Sequence, residues 1–244
     1  MATPYLIEVV ASTVHSCVEA EQGGAGRIEL CSALAAAGIT PSSGLLEVVK
    51  RHIAIPVYVM IRPREGDFTY SKDEVEVMKR EIDLLGASGA DGFVFGALTS
   101  NGFIDTALTR ELVAHCGKIP VTFHRAVDCT PNLIEAADQI ASCGCERILT
   151  SGGKKSGPEG KETILAMHEA AHGKIRIMPG GGIKPETFEH IYDSKLKEYH
   201  LSGRVPKNSS MPSTLFEMDW FETARESIAH VTQFLQNQNN LNRL

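Results

Sequence analysis

The amino-acid sequence predicts one (β/α)8 TIM barrel that spans residues 1–244 as a single domain. Short apolar runs alternate with longer segments whose apolar residues recur every three or four positions, which is the pattern of strands alternating with amphipathic helices. Such strands pair in parallel through right-handed crossovers, and eight units have a natural closed form in the barrel. The length of 244 residues also suits a fold that typically needs about 250.

The predicted strands occupy residues 5–10, 27–31, 56–61, 92–96, 120–124, 146–151, 174–179 and 197–201. An open doubly wound sheet is the alternative, but the first strand is followed by ASTVHS and not by a glycine-rich dinucleotide fingerprint. Helical spacing is clearest in SKDEVEVMKREIDLLGASG, where Ser71 and Glu74 form a capping box and Gly89 provides a stop. After the eighth strand we predict an irregular loop at about 202–215 and a C-terminal helix at about 216–236.

Composition excludes several classes of protein. The net charge of −6 argues against a nucleic-acid partner, which would usually meet a basic face. The sequence has no apolar run near the roughly 20 residues that cross a bilayer, and MATPYLIEVV lacks the features of a signal peptide. A chain of this length does not need its six cysteines as disulfides. We therefore expect a cytoplasmic protein without a membrane partner.

Polar residues interrupt the apolar pattern at the ends of several strands, in RIELC, MIRPR and TFHRA. Burying such groups costs several kcal/mol unless they are paired or used. Active sites of these barrels lie at the C-terminal strand ends, and alternate strand residues point inward. The candidate catalytic pocket therefore contains Glu8, Arg27, Glu29, Arg62, His124 and Arg125. The structural alternative is that Arg27 neutralises Glu29 and that Glu8 neutralises Arg62.

Glycine-rich loops follow strands six and seven. Glycine lets backbone N–H groups approach an anion closely, and the loops after strands seven and eight often bind phosphate in this fold. The predicted anion-binding residues are Ser151, Gly152, Gly153, Gly180, Gly181 and Gly182. Tight turns are the structural alternative.

These residues support the hypothesis that the protein is an enzyme of isomerase, aldolase or lyase type that acts on a small phosphorylated or otherwise anionic metabolite. Glu29 and His124 would act as the general acid/base pair, while Arg62 and Arg125 would orient the negative charge of the metabolite. An interaction scaffold with an inactive pocket is a further alternative, because a fold alone does not specify a reaction.

The stretches GGAGRIELCSAL, PVYVMIRPREGDF, GFVFGALT, PVTFHRA, RILTSGG and IMPGGGI closely resemble the CutC copper-homeostasis family, in order, from about residue 6 to 204. The resemblance implies a cytosolic barrel that handles copper(I) and forms a homo-oligomer, which we expect to be a dimer or a tetramer. Cys31 matches the family's cysteine in IELC, and Met60 and His124 are the other candidate copper ligands. The family often has a second cysteine near the end of strand one, where this chain has Val10.

Overall fold

Eight parallel strands form the centre of the protein, in a computed structural model that describes residues 5–207 and 220–241. They are β1 Leu6–Ala11, β2 Arg27–Leu30, β3 Val57–Met60, β4 Gly92–Phe95, β5 Val121–Phe123, β6 Arg147–Thr150, β7 Arg176–Pro179 and β8 Glu198–Leu201. Their order is β7-β6-β5-β4-β3-β2-β1-β8, and β7 also contacts β8. The sheet is thus a nearly closed barrel, and the predicted TIM-barrel fold is confirmed.

Helices follow the strands around the barrel. They are α1 Val14–Gln22, α2 Ser43–His52, α3 Lys72–Ala87, α4 Thr106–His115, α5 Leu133–Ser142, α6 Lys161–Ala170, α7 Phe188–Ile191 and α8 Arg225–Leu241. The capping box predicted from Ser71 and Glu74 is present at the start of α3, and Gly89 adopts a positive φ of 94° just after its end. Within residues 5–207 and 220–241, no helix combines the length and the apolar character that a membrane span requires.

Strand alternation separates an apolar outer layer from a polar interior. Outward residues such as Ile7, Val9 and Ile28 are buried in the main hydrophobic core, to which the helices also contribute. Inward residues include Glu8 and Arg27, which are also buried. The register pairs Glu8 with Arg27 and Val10 with Glu29, so two polar layers lie one above the other inside the barrel.

The segment after β8 differs from the prediction. Strand β9 (Arg204–Lys207) pairs antiparallel with β10 (Trp220–Thr223), so the expectation of an irregular loop is wrong at residues 204–207. The helix begins at Arg225 and not near residue 216. Aromatic and β-branched residues favour a strand at 220–223, and the Thr223 N–H donates to Ser16 Oγ at 3.1 Å. Residues 208–219 of the predicted loop and helix lie outside the described residues.

Candidate functional site

A chain of buried ion pairs occupies the lower half of the barrel. Glu198 Oε2 accepts hydrogen bonds from Arg147 Nε and Arg27 Nη2, both at 2.8 Å, and Arg27 Nε donates to Glu8 Oε2 at 2.5 Å. The guanidinium carbons of Arg27 and Arg147 lie 4.8 and 5.1 Å from the centre of the Tyr58 ring. That ring needs Gly92 beside it, because a Cβ there would lie 2.5 Å from the ring atoms. The polar interior is therefore paired and closely packed.

Neither of the two ion pairs offered as structural alternatives is formed. Arg27 pairs with Glu8 and Glu198 and not with Glu29, because its side chain lies one layer deeper in the barrel. Arg62 donates to the backbone oxygens of Ala36, Gly38 and Gly66 at 2.7–3.0 Å and lies over the Phe68 ring. Both pairings are wrong, and Arg62 instead supports the loops that follow β2 and β3.

Glu8, His200 and Glu29 connect these buried ion pairs to the upper half of the barrel. His200 Nδ1 donates to Glu8 Oε1 at 2.8 Å, and its Nε2 lies 3.7 Å from Glu29 Oε2. Although burial alone would raise the pKa of Glu8, Arg27 and His200 lower it to about 2. Burial opposes charge on His200, but Glu29 and Glu8 outweigh it and raise the pKa of the imidazole. Burial raises the pKa of Glu29 to about 7, with Glu8 adding to the rise and His200 opposing it.

His124 directly follows β5 and is a neutral imidazole. Burial, together with the nearby Arg62 charge, lowers its pKa to about 3. Its Nδ1 accepts a hydrogen bond from the Ala126 N–H at 3.3 Å, which assigns the proton to Nε2. The ring packs against Phe68 and over Gly96, where a Cβ would lie 2.5 Å from Nδ1. His124 is therefore suited to donate a hydrogen bond from Nε2.

A cavity of about 440 Å³ opens at the C-terminal ends of the strands. Seven of the predicted site residues line it, namely Glu29, Met60, Arg62, His124, Arg125, Gly181 and Gly182. Glu8 and Arg27 lie below the cavity, and Cys31 lies behind its wall. Of the polar residues predicted to converge at the barrel mouth, those of the upper layer line the cavity and those of the lower layer do not.

Asp128 occupies the first predicted anion-binding loop. Its carboxylate accepts hydrogen bonds from the backbone N–H groups of Ser151 and Gly153 at 3.0–3.1 Å and from the Thr150 hydroxyl at 2.5 Å. The Gly152 N–H donates to Thr150 Oγ1 at 2.9 Å. An external anion would have to displace Asp128 from these donors.

Asp128 also positions Arg125, whose Nε donates to it at 2.9 Å while Nη2 donates to Ser151 Oγ at 2.7 Å. The third guanidinium nitrogen, Nη1, lies against Gly181. The Gly180 N–H is bonded to the Thr150 oxygen, whereas those of Gly181 and Gly182 make no hydrogen bond within residues 5–207 and 220–241. The second predicted anion loop therefore keeps donors at the cavity wall.

We expect Asp128→Asn to lower the free energy of unfolding by about 2 kcal/mol, because an amide nitrogen cannot accept from the Ser151 N–H or from Arg125. Urea unfolding measures the change. Asp138→Asn is the matched control, since Asp138 is exposed and its pair with Lys174 should contribute little. Equal losses in the two variants would contradict the structural role of Asp128.

The candidate copper ligands are divided between the cavity and its wall. Cys31 and Met60 belong to one buried cluster with Tyr58 and Val94, against which Val10 packs. Burial and the carboxylates of Glu29 and Glu8 raise the pKa of the Cys31 thiol well above its usual value. In the part of the chain that the structure describes, no three His, Cys, Asp or Glu side chains form a group that could hold a metal ion.

The sequence interpretation missed several residues of the site. Glu198 faces inward on β8, on the same side as His200, and the alternation that places His200 inward could have identified it. Arg147 is the corresponding inward residue at the start of β6. Asp128, Phe68 and Arg204 lie on loops or beyond the barrel strands, where no periodic pattern indicated them.

Comparisons with known proteins place this geometry in a family context. A model described as the CutC family matches residues 5–205. The chain is 50% identical over 208 residues to the copper homeostasis protein cutC homolog of Mus musculus, covering 85% of this chain and 76% of that protein. The human homolog is 49% identical over 211 residues, with coverages of 86% and 77%. The structure of CutC from Streptococcus agalactiae is 33% identical, has a TM-score of 0.76, and covers 80% of this chain and 97% of its own.

Proposed function

The chain belongs to the CutC family, and on this premise we propose that it acts in copper homeostasis with copper(I) as its cargo. The observation that carries the proposal is the identity of about half of the aligned residues with relatives named as copper homeostasis proteins. The matched region includes the whole barrel and its polar interior.

We further propose that Cys31 and Met60 contact the metal. Copper(I) prefers thiolate and thioether sulfur, and these two side chains share one buried cluster. Both approach Gly38, where a Cβ would lie 3.2 Å from Cys31 Sγ and 3.6 Å from Met60 Cε. His124 remains a weaker candidate, because its Nδ1 already accepts a hydrogen bond. One thiol whose proton must be displaced suggests modest affinity.

Competition with a chromophoric copper(I) chelator tests this site. Cys31→Ala is expected to weaken binding by more than tenfold, while Cys145→Ala should leave it unchanged, because Cys145 is also buried but lies just before β6, at the end of the barrel opposite the mouth. Val10→Cys should tighten binding by more than tenfold, since Val10 packs against the cluster that holds Cys31 and Met60. Tenfold corresponds to about 1.4 kcal/mol.

Other results would contradict the site. Equal affinities in the parent protein, Cys31→Ala and Cys145→Ala would show that any bound copper lies elsewhere. No gain in Val10→Cys, with the thiol shown to be free by titration, would exclude this wall of the barrel as the metal position.

We also propose a cytoplasmic location and a homo-oligomeric state. The support for the first is that all six cysteines are unpaired. The homo-oligomeric state is supported by the exposure of two large apolar side chains on α3. Val77 and Leu84 lie two turns apart and are 45% and 52% exposed. Light scattering on the purified protein measures the assembly, and a monomer at micromolar concentration would contradict it.

A further inference from the structure

Three buried polar atoms without partners belong to residues that line the cavity. Glu29 Oε1, Arg62 Nε and His124 Nε2 make no hydrogen bond among the described residues, and their side chains belong to residues only 3–5% exposed. An unmade hydrogen bond of this kind costs about 1–3 kcal/mol. The other three unpartnered buried atoms in residues 5–207 and 220–241 belong to Tyr70, Thr109 and Thr223, none of which lines the cavity.

The three atoms are chemically complementary to one kind of ligand. Arg62 Nε and His124 Nε2 each carry a proton, so both donate to an oxygen acceptor. Glu29 Oε1 accepts a hydrogen bond from a hydroxyl group, or donates one when the carboxyl is protonated. All three atoms belong to residues that line the cavity, and the terminal torsion of Glu29 is soft. The inner end of the cavity therefore suits a hydroxylated carbon chain.

The outer end of the cavity is cationic. Arg125 and Arg204 line it, together with Gly181 and Gly182, whose N–H groups are unbonded within the described residues. Asp128 engages Arg125 through Nε but not through Nη1, which faces Gly181. Arginine and backbone N–H groups together favour a phosphate or carboxylate. The space between the two ends is walled by apolar side chains such as Leu34, Phe68 and Ile183.

We infer that this cavity binds a small hydroxylated organic anion, with its anionic group at Arg125 and Arg204 and its hydroxyl or carbonyl oxygens at Glu29, Arg62 and His124. The volume of about 440 Å³ lies within the range of small-molecule sites. This ligand is distinct from copper, because the inferred contacts are nitrogen donors and a carboxyl group. Met60 lines the same cavity, but the inference does not depend on copper binding, because neither Cys31 nor Met60 contributes to it.

Binding can be measured by calorimetry with a panel that separates the anionic group from the carbon chain. Glycerol 3-phosphate and fructose 6-phosphate carry a phosphate, and glycerate carries a carboxylate. Glycerol, fructose and inorganic phosphate are the controls. At least one of the charged hydroxylated compounds is expected to bind at least tenfold more tightly than its uncharged analogue and than inorganic phosphate. A preference among them distinguishes a phosphate from a carboxylate ligand.

Two variants test the inner contacts. Glu29→Gln should weaken binding of the selected compound at least tenfold, because an amide cannot reproduce both roles of a carboxyl group. His124→Asn keeps an acceptor for the Ala126 N–H but removes Nε2, and should cause a similar loss. His124→Gln, which retains a distal donor, should bind more tightly than His124→Asn. Circular dichroism confirms that each variant is folded before it is compared.

Three outcomes would overturn the inference. The first is that none of the three charged hydroxylated compounds binds at about 10 mM, a concentration above the usual range of substrate concentrations. The second is that inorganic phosphate binds as tightly as the best compound, so that the cationic end alone holds an anion. The third is that affinity is unchanged in folded Glu29→Gln and His124→Asn.

Discussion

Replacing Arg27 with methionine is expected to lower the free energy of unfolding by about 3–5 kcal/mol, the range for removing one partner of a buried ion pair. Arg27 is 3% exposed and lies between Glu8 and Glu198. Arg147 still compensates Glu198 in the variant, but among the described residues Glu8 keeps only His200 as a charged partner. Methionine keeps the unbranched apolar part of the side chain but is shorter and has no guanidinium, so we expect the loss to come mainly from a buried carboxylate without its cation.

Urea unfolding as a function of pH distinguishes this cause from poorer packing. Arg27 and His200 lower the pKa of Glu8 to about 2, whereas an unfolded glutamate titrates near 4.5. The stability contributed by Glu8 is present above pH about 4.5 and is lost as the pH falls towards 2. The deficit of Arg27→Met should therefore be largest near neutral pH and should shrink below about 4.5. A deficit that is constant with pH would indicate packing alone.

Arg225→Met is the matched control for this substitution. Arg225 pairs with Glu19 at 2.9 Å, but its side chain is 45% exposed. Exposed pairs contribute about 0–1 kcal/mol, so the control should remain close to the parent protein. Comparable losses from Arg225→Met and Arg27→Met would contradict the importance of burial.

The sequence was sufficient to locate the strands, because a barrel strand is a short apolar run between helices. The eight barrel strands lie within one or two residues of their predicted positions, as at 92–96 for Gly92–Phe95. The inward position of Glu29 was also predictable, since alternation along β2 fixes its face. These properties depend on local pattern, and local pattern is visible in a single sequence.

Pairing inside the barrel could not be predicted in the same way. Arg27 and Glu198 are 171 positions apart in the chain and meet only because β8 pairs with β1. Arg27 and Glu29 share a face of β2, yet they differ in depth and have different partners. The choice among several nearby charges depends on barrel closure and side-chain reach, which alternation does not specify.

Loop residues were the least predictable part of the site. Asp128 lies in the short helical turn Arg125–Cys129, and its carboxylate reaches the loop after β6. The glycines of that loop predicted a site for an external anion, whereas in the structure the protein's own Asp128 carboxylate accepts from the Ser151 and Gly153 N–H groups. A glycine-rich pattern reveals available donors, and it does not reveal whether an internal acceptor already uses them.

Glu29→Gln is expected to raise the free energy of unfolding at pH 8 by up to about 3 kcal/mol. Burial raises the pKa of Glu29 to about 7, against 4.5 for an ordinary glutamate. A pKa difference of one corresponds to about 1.4 kcal/mol. A carboxyl whose pKa is raised by folding contributes stability below pH about 4.5, and that contribution is lost as the pH rises through about 7. Glutamine does not ionise, so the advantage of the variant should grow across this window and then level off.

Thermal or urea unfolding between pH 4 and 9 measures this difference. Glu169→Gln is the control, because Glu169 is 63% exposed and its pair with Lys195 is solvated. The groups that face Glu29 are Glu8, Arg27 and His200, and the loss of attraction to His200 limits the gain. A pH-independent difference between the variant and the parent would contradict a raised pKa for Glu29.

A gain in stability from Glu29→Gln would also bear on why the residue is there. A carboxyl group that destabilises the folded state near neutral pH does not serve the barrel as a structural ion pair. Because Glu29 Oε1 has no partner among the described residues, its cost would be offset only when a ligand supplies one. Greater stability together with weaker ligand binding in the same variant would therefore separate a binding role for Glu29 from an inactive scaffold, in which stability alone would change.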